Sequence, residues 1–150
     1  PGWSAAGLIA LERGLQKESN SESIDFAIRE HRSPSVDYDN AQRIAKEANS
    51  LCDISDSLLI QAEQMAAASG VQFEINGDLI AAHPEFANLS QVASELKVSV
   101  FDLILSGGED HAFLATGNAL GFHCIGKVLS GDGIRLIQVA TPQPGWQHFN

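Results

Sequence analysis

The sequence predicts an α+β fold in which a mixed β-sheet of about four to six strands is flanked by helices. Segments with the apolar spacing of helices are mixed with short segments rich in β-branched and aromatic residues, without a regular strand–helix–strand repeat. The 150-residue chain is 44% hydrophobic and 19% charged, a composition typical of a globular domain with one core.

Apolar spacing and capping residues predict the elements of the first half. Ser4 is a candidate N-cap, and Pro34 ends a helix because the residue before proline avoids the α region. Helices are expected over residues 4–17, 24–31 and 36–48, and a strand over residues 50–54.

In the second half, the clearest predicted element is a helix over residues 56–69, which Gly70 terminates. The run Ser130-Gly131-Asp132-Gly133 indicates a β-hairpin between the last two strands. Strands are expected at 71–75, 113–116, 122–129 and from 134 onward, and helices at 77–83 and 89–97.

Charge and apolar patterning exclude several classes of protein. Nine basic against nineteen acidic residues give a net charge of −10, which argues against a nucleic-acid partner. No apolar run approaches the ~20 residues of a membrane helix, and the start has no signal-peptide pattern, so we expect a cytoplasmic protein without a membrane partner. Cys52 and Cys124 lack metal-site spacing and are expected to be buried, reduced thiols.

Two acidic motifs are the candidate functional residues. Gly107 and Gly108 allow a tight turn and close approach to a ligand, and Glu109 and Asp110 follow directly. The alternative for this run is a hairpin or bulge with exposed acids.

The second motif, Asp53-Ile54-Ser55-Asp56, lies where a strand passes into a helix. Its two carboxylates offer hard oxygens to Mg²⁺, and Ser55 with the helix start could meet an anion. The alternative is that Ser55 caps the helix and Asp56 complements its positive end.

The remaining chemistry-bearing residues give weaker signals. The five histidines show no zinc-ligand spacing, and the chain has no P-loop and no serine nucleophile motif, so no catalytic residue is assigned. Trp146 and Phe149 could pack the C-terminus or stack on a planar ligand.

Taken in order, these motifs resemble the C-terminal half of thiamine-monophosphate kinase. The Leu105–Asp110 run is similar to the Leu-Ser-Gly-Gly-Glu-Asp motif of that family, and Cys52–Leu59 resembles its Asp-Ile-Ser-Asp-Gly-Leu motif. Further similar segments are His31–Pro34, Ala68–Val71, Gly126–Val128 and Gly145–Phe149. Several weak matches in one order are more specific than any one of them.

The resemblance implies a domain of the aminoimidazole-ribonucleotide-synthetase type, from a kinase that phosphorylates thiamine monophosphate with ATP and Mg²⁺. By carry-over, Asp53 and Asp56 would bind Mg²⁺, and Ser55 would lie at the nucleotide. Glu109 and Trp146 would contact the thiamine moiety, with Gly107, Gly108 and Asp110 nearby. The resemblance is also compatible with a homodimer of the full-length protein.

The chain departs from the family at the two motifs and in its extent. Ser57 stands where the family has Gly, and His111 and Ala112 replace its usual Tyr-Glu. The N-terminal ATP-binding domain of the family is not in this sequence, so we expect residues 1–150 to be a domain of a longer protein with little kinase activity alone. The alternatives are a related enzyme, similar to hydrogenase-maturation proteins or selenophosphate synthetase, and a non-enzymatic assembly module.

Overall fold

A computed structural model describes residues 1–17 and 21–139. Within these ranges the helices are α1 (Trp3–Glu12), α2 (Glu22–Arg32), α3 (Tyr38–Ile44), α4 (Leu58–Ser69), α5 (Gly77–Ala81), α6 (Phe86–Glu95) and α7 (Val100–Ser106), with a 3₁₀ turn at Leu15–Lys17. The strands are β1 (Ser50–Ile54), β2 (Gln72–Asn76), β3 (Ala112–Thr116), β4 (Gly126–Leu129) and β5 (Gly133–Ile137). No helix in the described ranges is long and apolar enough to cross a membrane.

The predicted α+β class is confirmed, and the described strands form two sheets rather than one. β1 pairs with β3 in an antiparallel two-stranded sheet. In the second sheet, β2 lies in the centre, antiparallel to β4 and parallel to β5. Helix α4 contacts both sheets, since it packs against β1, β2, β3 and β5.

The predicted hairpin at Ser130–Gly133 is wrong. β4 and β5 do not pair, because β2 lies between them. The turn instead passes over the start of β2, where the Gln72 side-chain amide donates to the Asp132 carbonyl at 3.2 Å. Turn residues specify that the chain reverses direction, but they do not specify which strand the returning segment joins.

Several helix boundaries also differ from the sequence prediction. The N-cap of α1 is Gly2 and not Ser4, which is buried with its Oγ 3.0 Å from His31 Nδ1. Helix α7 was not predicted, because its core-facing residues form a continuous run, Leu103–Ser106, without the spacing of an amphipathic helix. Its start is visible only as an N-cap, where Ser99 Oγ accepts from the Asp102 N–H at 3.3 Å.

The two cysteines occupy different environments. Both thiols are free, Cys52 is half-buried in β1, and Cys124 is exposed, which corrects the expectation that both are buried. Burial raises the pKa of the Cys52 thiol, and the charge of Asp53 raises it further.

Candidate functional site

The two acidic motifs lie side by side in the structure. The Glu109 N–H donates to the Ser55 carbonyl at 2.8 Å, and the His111 N–H donates to the Ile54 carbonyl at 3.0 Å. These backbone bonds connect the segment 107–111, which we call the acidic loop, to the end of β1. The structure thus brings together two motifs that are about fifty residues apart in the sequence.

The glycines of the acidic loop are required by close packing against the protein's own backbone. A Cβ on Gly108 would lie 2.0 Å from the Asp56 carbonyl oxygen, and one on Gly107 would lie 2.3 Å from that of Leu103. Neither glycine has a positive φ. The absence of a Cβ therefore lets the loop approach the Asp56 turn, whereas a ligand-contacting role for either glycine stays a prediction.

Asp110 anchors the acidic loop to the first helix. Its Oδ2 accepts from the Gly2 N–H at 2.6 Å and its Oδ1 accepts from the Ser4 N–H at 3.0 Å. Both donors belong to the start of α1, where backbone N–H groups have no partner inside the helix and favour a negative charge. The geometry gives Asp110 a capping role, and a further contact of this residue with substrate stays a prediction.

Glu109 and His111 flank Asp110 with strained backbones. Their φ angles are +61° and +49°, a region that side-chain-bearing residues adopt infrequently. The His111 Nε2 lies 3.4 Å from Glu109 Oε2, and its Nδ1 lies 3.9 Å from Asp53 Oδ2. The ring of His111 is therefore placed between the two carboxylates that the sequence singled out separately.

Asp53 and Asp56 each carry the hard carboxylate oxygens that Mg²⁺ prefers. The Asp53 side chain is 56% exposed at the end of β1, and Asp56 is half-buried in the next turn. Among the described residues, no group of three or more His, Cys, Asp or Glu side chains could hold a metal ion. Two carboxylates are enough for Mg²⁺, which keeps several waters and is commonly held jointly with substrate phosphates.

Ser57, and not Ser55, caps the helix that follows. The Ser57 Oγ accepts from the Ile60 N–H at 3.3 Å, and its backbone is extended, with φ −148° and ψ 160°. Serine at this position, where the resembling family has glycine, supplies the N-cap of α4. The interpretation of Ser55 as the cap is wrong, and the Ser55 side chain is half-buried at the edge of the site.

The structure adds two aromatic residues that the sequence analysis did not assign to the site. Phe113 is the cross-strand partner of Asp53, so the two side chains lie on the same face of the β1–β3 sheet. The exposed ring of Tyr38 lies 6.4 Å from the Phe113 ring, centroid to centroid. Strand alternation could have indicated Phe113, whereas Tyr38 comes from the distant helix α3 and has no local signal. Trp146 lies outside the described residues.

Comparison with known proteins gives relatives that match almost the whole chain. No family model matches. The thiamine-monophosphate kinases of Mycobacterium tuberculosis and Aquifex aeolicus are 34% and 31% identical over 99% of this chain, which covers 44% and 49% of their lengths. The solved structure of AaThiL complexed with AMPPCP and TMP matches with a TM-score of 0.83 at 29% identity, over 99% of this chain and 48% of that one.

A more distant structure agrees in fold. The thiamine-monophosphate kinase of Stenotrophomonas maltophilia K279a is 20% identical, with a TM-score of 0.75 over 90% of this chain. The chain spans about half the length of the curated relatives it matches. In sequence and in fold, the chain is therefore similar to about half of a thiamine-monophosphate kinase.

Proposed function

We propose that this chain is the C-terminal, substrate- and metal-contributing domain of a thiamine-monophosphate kinase. The reaction is transfer of the terminal phosphoryl group of ATP to thiamine monophosphate, giving thiamine diphosphate and ADP. The observation that carries the proposal is the match, over 99% of the chain, to a structure described as a complex with AMPPCP and TMP. We further propose that its fold is of the aminoimidazole-ribonucleotide-synthetase type.

The acidic groups of the site suit phosphoryl transfer, which depends mainly on positioning and on neutralising charge. Asp53 and Asp56 would hold Mg²⁺, which supplies positive charge to the phosphates when bound. Ser55 lies between these two residues in the sequence and is proposed to face the nucleotide. No residue of the chain is assigned as a covalent nucleophile, because the reaction does not require one.

Glu109 is the proposed contact for the cationic part of the acceptor. Its carboxylate lies beside His111, and its N–H donates to the Ser55 carbonyl. This backbone hydrogen bond joins the proposed substrate contact, Glu109, to the segment that carries the proposed metal ligands. A carboxylate favours the positively charged thiazolium ring through its charge. Trp146 is proposed to offer an aromatic face to the same ring.

The active unit extends beyond this domain in our proposal. The ATP-binding domain lies outside residues 1–150, and the complete enzyme is a cytoplasmic protein that could act as a homodimer. Purified residues 1–150 are therefore expected to convert thiamine monophosphate at a negligible rate. Turnover by this fragment at a rate near that of a complete kinase would contradict the domain assignment.

The test is an assay of the natural protein that contains this chain, with Mg²⁺-ATP and thiamine monophosphate. We expect thiamine diphosphate to form, and we expect Asp53→Asn or Asp56→Asn to lower kcat/KM about 100-fold or more, because each removes a metal-binding charge. Asp39→Asn, in the first turn of α3, is the matched control and should have no effect. A protein that binds Mg²⁺-ATP but does not phosphorylate thiamine monophosphate would instead be a related enzyme with another substrate.

A further inference from the structure

His111 is the side chain that connects the two carboxylates of the site. Its ring is 39% exposed, with Nε2 at 3.4 Å from Glu109 Oε2 and Nδ1 at 3.9 Å from Asp53 Oδ2. The contact with Glu109 is the shorter of the two, and both distances exceed the ~2.7–3.2 Å usual for an N–H···O hydrogen bond. The Nε2 side of the ring therefore faces Glu109, and the Nδ1 side faces Asp53.

The backbone holds His111 in this place at an energetic cost. A φ of +49° is unfavourable for histidine. Two contacts hold this backbone in place, because the His111 N–H donates to the Ile54 carbonyl and the side chain of the preceding residue, Asp110, accepts from the start of α1. Strain that the surrounding structure maintains is concentrated at functional sites, which indicates that the position of this ring matters for more than folding.

We propose that His111 is a positioning residue for the acceptor substrate: its imidazole, in polar contact with the Glu109 carboxylate, holds that carboxylate in the orientation that receives the cationic ring. This inference rests on the proposed function and assigns a role to a residue that differs from the tyrosine usual in the resembling family. A carboxylate on a half-exposed loop has several rotamers, and a fixed donor beside it reduces the entropy lost when the substrate binds.

The role predicts a specific pattern of kinetic constants. His111→Ala removes this contact and should raise KM for thiamine monophosphate about 5- to 10-fold, as expected for a polar contact with a charged group that is partly exposed to water. KM for ATP and kcat should stay within about 2-fold, because neither depends on Glu109 in this proposal. His111→Gln keeps an N–H donor at a similar reach and should restore most of the affinity.

The experiment compares these variants in the natural protein that contains this chain. Ala and Gln both carry a Cβ at the same positive φ, so backbone strain is matched between them. His83→Ala is the control for loss of an exposed imidazole elsewhere, since His83 Nδ1 accepts from the Glu85 N–H at 3.2 Å and is not part of the acidic loop. Thermal unfolding of each variant separates positioning from folding.

The outcomes separate the two proposals. If the wild-type protein phosphorylates thiamine monophosphate and His111→Ala leaves the KM for this substrate unchanged, the role of His111 is overturned and the kinase proposal stays intact. An equal rise of both KM values with a lower melting temperature, not rescued by Gln, would make His111 a structural residue and also overturn the inference. A wild-type protein without this activity would overturn the proposed function itself.

Discussion

Glu74 and Asp53 are carboxylates on strands of different sheets, and their surroundings are opposite. The Glu74 side chain, in the central strand β2, is 10% exposed and lies 3.6 Å from both Lys127 Nζ and Arg135 Nη1. The Asp53 side chain, at the end of β1, is 56% exposed and has an imidazole nitrogen at 3.9 Å.

The difference separates a structural charge from one available to a ligand. Register places Lys127 and Arg135 directly across from Glu74 on the two flanking strands, so the buried charge is compensated by the sheet itself. Asp53 has no cationic Lys or Arg partner among the described residues. It therefore keeps its hydration and its free oxygen lone pairs, which a cation can use.

The largest loss of stability is expected when the close packing of the acidic loop against the Asp56 turn is disrupted. Gly108→Ala places a Cβ 2.0 Å from the Asp56 carbonyl oxygen, and backbone on both sides must move. We expect a loss of about 3 kcal/mol or more in the free energy of unfolding, measured by urea denaturation of residues 1–150.

Gly121→Ala is the matched control for this substitution. A Cβ on Gly121 would meet nothing within 4 Å, and only its positive φ of +74° disfavours alanine. Its expected cost is about 1 to 2 kcal/mol. Equal costs for the two variants would show that the acidic loop can move away from the Asp56 turn, and that the site is not held as rigidly as the contacts indicate.

A second prediction tests the structural charge. The double variant Lys127→Met, Arg135→Met leaves Glu74 buried without a counter-charge. We expect a loss of about 2 to 3 kcal/mol in the free energy of unfolding, less than for a fully buried pair because both cations are largely exposed. Adding Glu74→Gln should recover most of this loss, since it removes the uncompensated charge. No recovery would mean that the cations act through packing of their aliphatic stems.

A third prediction concerns the anchor of the acidic loop. Asp110→Ala removes the acceptors for the Gly2 and Ser4 N–H groups, and we expect a loss of about 1 to 2 kcal/mol in the free energy of unfolding. Asp110→Asn keeps one good acceptor and should lie between alanine and wild type. Asp132→Ala, in the exposed turn before β5, should change stability by less than about 0.5 kcal/mol. An Asp110→Ala variant as stable as this control would contradict the capping role.

The same comparison shows what the sequence could and could not predict. Local signals were sufficient for β1, for the Gly70 stop of α4 and for both acidic motifs, because each depends on residues close together in the chain. The pairing of β2 between β4 and β5 depends on contacts more than fifty residues apart, and the turn residues at 130–133 carry no information about it. The cationic partners of the buried Glu74 follow from that pairing, so the sequence alone could not predict them either.

Within the site, the sequence predicted which residues lie together but not what each one does. The glycines and Asp110 were expected at a ligand, and their observed contacts are with Asp56, Leu103 and the start of α1. The contacts with Leu103 and with the start of α1 come from helices α7 and α1, of which the first was not predicted at all and the second has a different N-cap from that predicted. His111 was noted only as a departure from a family pattern, because its position between two carboxylates exists only in the folded loop.

The smallest effect on stability is expected for a substitution of Asp53. This substitution tests whether Asp53 binds a ligand, in contrast to the structural role of Glu74. Asp53→Asn keeps the shape of an exposed side chain and removes one weak charge contact, so the free energy of unfolding should change by less than about 0.5 kcal/mol. The same variant in the natural protein should lose nearly all phosphorylation of thiamine monophosphate, because the proposed Mg²⁺ contact depends on the charge. Urea denaturation and the kinase assay together distinguish the cases. Loss of activity at unchanged stability supports a ligand-binding carboxylate, whereas a destabilised Asp53→Asn would place Asp53 in the same structural class as Glu74.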